Sequence, residues 1–307
     1  MSVAGLADCQ RATEGSRDVG PHRWGRLGRV PAWPGADDVS VERKFSSIVV
    51  VVDLEQDAAD SATFAAGLAG RAGLRTEIVA EVPRGLTEDA AGADLGRRIA
   101  AARLDRSPCY LLRTDAPGQA VAEHVASRAG VLVVTAAATW GSLGPYLLDA
   151  TAERILERTA VPVLVLGPNF APAPTLATTT IAVVDGSDVA ECAMPVVEAW
   201  ARTFPGAAAR VIEVLPAASI PAHDVDRHVR GYVHRLLERG VAASGEVLRG
   251  DRPAPLLVAY AGEIDGAVLV MPSPRWAAEP SHWFSTTRRV IHLSTQPVLV
   301  VAADLSD

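Results

Sequence analysis

The strongest constraint on this chain is a strand–loop–helix–strand pattern that occurs twice. The first copy opens on Val131-Leu132-Val133-Val134 and crosses a loop of small residues. It then carries a helical segment ending Ala152-Glu153-Arg154-Ile155-Leu156 and closes on Val161-Pro162-Val163-Leu164-Val165-Leu166. The second opens on Ala267-Val268-Leu269-Val270-Met271, passes through Arg288-Arg289-Val290-Ile291 and closes on Gln296-Pro297-Val298-Leu299-Val300-Val301. Short unbroken Val-rich runs read as parallel strands buried on both faces; a strand wet on one side would alternate. Strand, helix and strand make a βαβ unit, and two such units at equivalent places read as an internal repeat.

The segments before each unit fit the same scheme. In the first half, residues 48–52 form a strand ending at Asp53, 57–72 a helix stopped by Gly73, and 76–82 a strand stopped by Pro83. A helix over 87–104, a strand over 109–113 and a helix over 116–128 follow. The second half repeats this with strands at 181–185, 209–215 and 245–249 and helices at 189–203, 225–239 and 253–262. Asp53 and Asp185 end matching strands, and Glu81-Val82 and Glu213-Val214 follow them at the same sequence offset. Alternating strands and helices predict an α/β architecture: two tandem, doubly wound parallel-sheet domains with helices on both faces. The predicted organisation is a disordered arm over 1–44, one domain over 45–168, a Pro/Ala/Thr-rich linker over 169–178 and a second domain over 179–303. Trp24 and Trp33 stand isolated in the arm.

Composition narrows the function. The chain has 307 residues, a net charge of −7 and three cysteines, Cys9, Cys109 and Cys192, far apart in sequence. An acidic balance without a basic stripe argues against a nucleic-acid partner. No apolar run reaches the roughly 18 residues of a membrane helix. No secretory signal opens the chain, so a cytoplasmic protein with reduced thiols is expected. His223, His228 and His234 lack metal-ligand spacing, so no metal is predicted. His282, near Ser281 and Ser285, lacks a nucleophile elbow, so no catalytic residues are predicted and the chain is not expected to be an enzyme. Cys109 and Cys192 read as small core residues.

The opening of the second half, Val184-Asp185-Gly186-Ser187, resembles that of a universal stress protein. The closing block Thr159-Ala160-Val161-Pro162-Val163-Leu164-Val165 is similar to that family's last helix and strand, and Gln296-Pro297-Val298-Leu299-Val300-Val301 repeats it. The resemblance spans about residues 46–303 and implies a tandem member. It implies strand order 3-2-1-4-5 in each half and pairing through the fifth strands. It also implies an ATP site in which the strand-one acid faces the adenosine and the end of strand two frames the adenine. In that site a loop after strand four, reading Gly, two residues, Gly, nine residues, Gly, Ser or Thr, holds the phosphates.

Glycine suits such a loop because phosphate must come close to backbone N–H groups at a helix N-terminus, where a Cβ intrudes. Both halves depart from the pattern. The first places Ala136, Thr139, Asp149 and Ala150 at the key positions, and Asp149 sets a carboxylate where phosphates would lie. Its Gly141 and Gly144 are out of register. The second places Pro272, Arg275, Phe284 and Ser285 there, one residue short. Candidate nucleotide-binding residues are therefore Asp53 and Val82 in the first half, and Asp185, Gly186, Val214, Gly250, Asp251, Arg275 and Ser285 in the second. Arg288 and Arg289 could add charge for an anion. The competing reading is structural: Asp53 and Asp185 capping helices, Gly250-Asp251 as a turn, Ser285 as an N-cap and the arginines as a polar helix face.

Three functions stay open. One is a non-catalytic stress-response or regulatory protein with degenerate ATP motifs. Another is an adenine-nucleotide (ATP) sensor working mainly through the second half. The third is a pseudo-dimeric scaffold whose fifth strands or arm recruit a protein partner or a second copy.

Overall fold

Strands apolar on both sides need a helical layer on each face, and the computed structural model supplies two. It describes residues 44–54, 59–82, 84–112, 118–126, 128–137, 150–173, 175–218, 225–274 and 285–303. The arm and the loops carrying Thr139, Gly141, Gly144, Asp149, Arg275, Ser281, His282 and Phe284 lie outside these residues, as does His223. The first half contains β1 (Ser47–Val52), α1 (Ala59–Ala72), β2 (Arg75–Glu81), α2 (Glu88–Ala101), β3 (Cys109–Leu112), α3 (Gln119–Val125), β4 (Val131–Ala136), α4 (Ala150–Arg158) and β5 (Val163–Leu166). The second contains β6 (Thr179–Val184), α5 (Asp188–Glu191), α6 (Ala193–Thr203), β7 (Ala208–Leu215), α7 (Val225–Glu238), β8 (Ala243–Arg249), α8 (Pro253–Gly262), β9 (Ala267–Pro274), α9 (Thr286–Leu293) and β10 (Val298–Ala303).

Among the described residues the strands form one ten-stranded sheet, ordered β3-β2-β1-β4-β5-β10-β9-β6-β7-β8. Each half reads 3-2-1-4-5 from its outer edge inward, with parallel pairing throughout. The halves meet at the fifth strands, where β5 and β10 pair antiparallel. Side chains alternate between two apolar layers. Val50, Val52, Ile78 and Ala80 join one core with α1, α2, α6 and α7; Val49, Val51, Val79 and Val133 join the other with α3, α4, α8 and α9. Both cores run through both halves.

Residues 169–173 and 175–178 are pinned rather than loose. The Asn169 side chain donates to the His292 carbonyl at 2.7 Å, Phe170 packs edge-on against Phe64, and the Thr178 hydroxyl donates to the Asp265 carbonyl at 2.6 Å. The halves also touch where the chain enters the sheet. The Phe45 N–H donates to Thr203 Oγ1 at 2.8 Å, and its ring lies edge-on to Trp200 of α6.

Three details differ from expectation. The single helix predicted over 189–203 is broken at Cys192 into α5 and α6. Pro195 explains the break, since it has no N–H for the Glu191 carbonyl and its ring crowds that carbonyl. Cys109 is exposed on β3 and is not a core residue. The register of β2 against β1 is also not that of β7 against β6. Ser47 pairs with Arg75, 28 residues on (75 − 47), whereas Thr179 pairs with Ala208, 29 residues on (208 − 179). Matching Val52 with Val184 thus matches Ala80 with Glu213 and Glu81 with Val214. A one-residue slip sends a side chain to the other face. The two glutamates that look equivalent in sequence lie on opposite faces of the sheet.

Candidate functional site

Ligands of an open parallel sheet bind beyond the carboxyl ends of the strands where the chain order reverses. Here those places lie between β1 and β4 and between β6 and β9.

In the second half, Asp185 follows β6, and its exposed carboxylate folds back on the next turn. Its Oδ1 accepts from the Ser187 N–H at 3.0 Å and from the Ser187 hydroxyl at 2.5 Å. Ser187, not Asp185, is the N-cap of α5, and its Oγ accepts from the Ala190 N–H at 3.3 Å. Asp185 thus holds the capping residue in place. Gly186 between them has φ +75°, and a Cβ there would stand 3.1 Å from Nδ1 of His228 on α7. Glycine suits this left-handed backbone, and a Cβ would also press on the imidazole. Glu213, near the end of β7, is only 5% exposed, and its Oε2 has no hydrogen-bond partner. Burial pushes its carboxyl pKa up; the nearby His228 opposes this, and the Asp185 charge adds to it.

Val214 points into the opposite core. Gly250 and Asp251 form the strand-to-helix turn of the structural reading. The Gly250 N–H donates to the Leu215 carbonyl at 2.8 Å, and Asp251 Oδ1 accepts from the Ala217 N–H at 3.0 Å. Ser285 is the N-cap of α9, accepting from the Arg288 N–H at 3.3 Å. β9 runs beyond Met271, so Pro272 is a strand residue opposite Val301 rather than the start of a loop.

Arg288 is engaged across the junction between the halves. Its side chain is 5% exposed, and its Nη2 donates to Glu153 Oε2 of α4 at 2.5 Å. Burial lowers its pKa, and Glu153 and then Glu157 oppose that. Glu153, rather than an expected anion, is the charged partner its guanidinium has in this structure.

In the first half, Arg98 of α2 donates to the carbonyls of Asp53, at 3.1 Å, and Leu54, at 3.4 Å. It staples the chain where it leaves β1. Val82 is buried, and its N–H donates to the Leu112 carbonyl at 2.9 Å. Glu81 lies across the start of α3, its Oε2 accepting from the Gly118 N–H at 2.7 Å. Burial raises its pKa, the N–H groups of Gly118, Val121 and Ala120 pull it down, and Asp53 raises it further. Each strand-end site therefore brings together a strand-one aspartate and a glutamate with a raised pKa.

Comparison with solved structures places the fold. A universal stress protein from Archaeoglobus fulgidus superposes with a TM-score of 0.61 at 15% identity, over 84% of this chain and 97% of its own. The fold is that of the universal stress proteins. A Pseudomonas aeruginosa structure assigned to the same proteins superposes at 0.59 and 19% identity, over 86% of this chain and 95% of its own. A protein of unknown function from Pseudomonas aeruginosa gives 0.58 at 19% identity, over 86% and 94%. No protein-family model and no curated protein matches the sequence.

Three features of the described residues bear on the ATP site that the resemblance implies. A glutamate stands beside the strand-one acid at each strand-end site, Pro272 is held in a strand, and Arg288 is paired with Glu153. No metal-binding cluster of His, Cys, Asp and Glu occurs among the described residues, and no described helix is long and apolar enough to cross a membrane. Glu81, Glu213 and His228, which stand beside the strand-one acids, are not among the candidate binding residues named from the sequence. The signal for Glu213 was a single acid near the end of a mostly apolar strand, where a charge needs a reason to be buried; β2 also carries Glu77, so Glu81 did not stand out.

Proposed function

We propose that this chain is a universal stress protein acting as a non-enzymatic, cytoplasmic regulatory protein, and that neither strand-end site holds ATP in the family's manner. The burial of Arg288 against Glu153 carries this reading. A site without phosphate-binding glycines needs a compensating cation, and this arginine serves the junction between the halves instead. The carboxyl groups of Glu81 and Glu213, added to the strand-one acid that such a site already has, make both sites still less hospitable to a polyanion. Regulation then runs through a protein partner or a second copy of the chain.

The test is on purified, untreated protein. Small molecules released by denaturation are identified by mass spectrometry, and the refolded protein is titrated with ATP by calorimetry. The reading expects no stoichiometric adenine nucleotide and no one-site heat. Stoichiometric ATP, or one-site binding abolished by Asp185→Ala, would establish the sensor reading instead.

A further inference from the structure

The contacts between β5 and β10 are symmetric. Val163 stands opposite Val300, Leu164 opposite Leu299 and Val165 opposite Val298. An approximate twofold axis thus passes through the Leu164–Leu299 pair. The helix ends before these strands correspond as well. The Thr159 hydroxyl accepts from the Val161 N–H at 3.2 Å, and the Ser294 hydroxyl accepts from the Gln296 N–H at 3.0 Å. The Thr159 N–H donates to the Ile155 carbonyl at 3.0 Å, and the Ser294 N–H to the Val290 carbonyl at 2.8 Å. Thr159 therefore matches Ser294, Ile155 matches Val290, and, two residues earlier, Glu153 matches Arg288. The buried ion pair joins two residues that occupy one and the same position, seen from either side of the axis.

In a twofold interface a residue near the axis meets its own copy. Two first halves paired in this way would bury glutamate against glutamate, and two second halves arginine against arginine. The strand residues cannot prevent this, because the paired positions are Val, Leu and Val in both halves. The charges can, since one arrangement gives a buried hydrogen-bonded pair and the other two leave like charges with little water. We infer that Glu153 and Arg288 form a pairing code, by which the fifth-strand face of the first half accepts the second half and rejects another copy of itself. The partner surface is thus specified by chemistry: the same apolar strand edge with the opposite charge beside it, whether in the same chain or in a second copy of it.

Three full-length variants test the code. Arg288→Glu puts Glu on both sides, Glu153→Arg puts Arg on both sides, and the double variant exchanges the two. Each single variant is expected to lower the folding equilibrium about a hundredfold or more, and the double variant to regain most of that loss. Mixing the two single variants, after brief opening in mild denaturant, offers each half a complementary partner only in the other chain. A particle of twice the mass given by either variant alone should then form by light scattering, with a recovered melting temperature. Single variants as stable as the natural chain, a double variant no better than the singles, or a mixture that gains neither mass nor stability would overturn the inference.

Discussion

Glu213→Gln removes a charge from the second strand-end site with little change of shape. The residue is 5% exposed and one carboxylate oxygen has no partner. Leaving a buried polar group unsatisfied costs about 1–3 kcal/mol, and more when the group is charged. Asp185 adds repulsion, and His228 returns part of it. The amide carries no charge to desolvate, so the variant should be more stable than the natural chain by about 1 kcal/mol at pH 7.

The pH dependence is also determined. A carboxyl whose pKa is raised by folding above its ordinary 4.5 holds its proton more tightly in the folded chain. Stability from this group is therefore fully present below pH 4.5 and lost as pH rises through the raised value. The gap between variant and natural chain should be widest at neutral pH and fade toward pH 4.5. Urea denaturation across that range reads both quantities. A variant less stable than the natural chain at pH 7, or a gap that ignores pH, would mean that His228 holds the carboxylate as a net stabilising pair, and the reasoning would fail.

Other substitutions follow from single contacts. Gly167→Ala would place a Cβ 2.0 Å from the Ile291 carbonyl oxygen in the other half, and should lower stability by about 3 kcal/mol in a denaturant titration. Arg103 has φ 58° just beyond α2 and is exposed, so Arg103→Gly should raise stability by about 0.5–1 kcal/mol, seen as a higher melting temperature. Glu198 is 4% exposed and pairs with Arg202 at 2.8 Å and Arg239 at 2.5 Å. Both arginines are partly in water, so Glu198→Ala should destabilise by about 2 kcal/mol, less than a fully buried pair would lose, with Glu198→Gln between the two in a thermal melt.

The sheet was legible because its strands are short, apolar and Val-rich, and because the second half repeats the first in order. The register of β2 and β7 was not. Glu81 and Glu213 lie the same distance in sequence beyond Asp53 and Asp185, but one extra residue between β6 and β7 is invisible until the strands pair. The break at Cys192 was within reach, since Pro195 marks it. Ser285 and Gly250-Asp251 make the cap and the turn of the structural reading, whereas Asp185 does not cap a helix itself but bonds Ser187, which does. Arg288 was misjudged because a helix face cannot be called polar or buried before its neighbour is known, and that neighbour, α4, lies 135 residues earlier in the chain.

Placing both fifth strands in one polypeptide changes how their pairing depends on abundance. Separate halves would associate by mass action and come apart as they became scarce. Here each edge meets its complement at an effective concentration set by the short 169–178 connection, on the order of millimolar for a flexible linker of that length, and those residues are further held by hydrogen bonds to α9 and to the turn before β9. The ten-stranded sheet should therefore persist at any copy number, down to a few molecules.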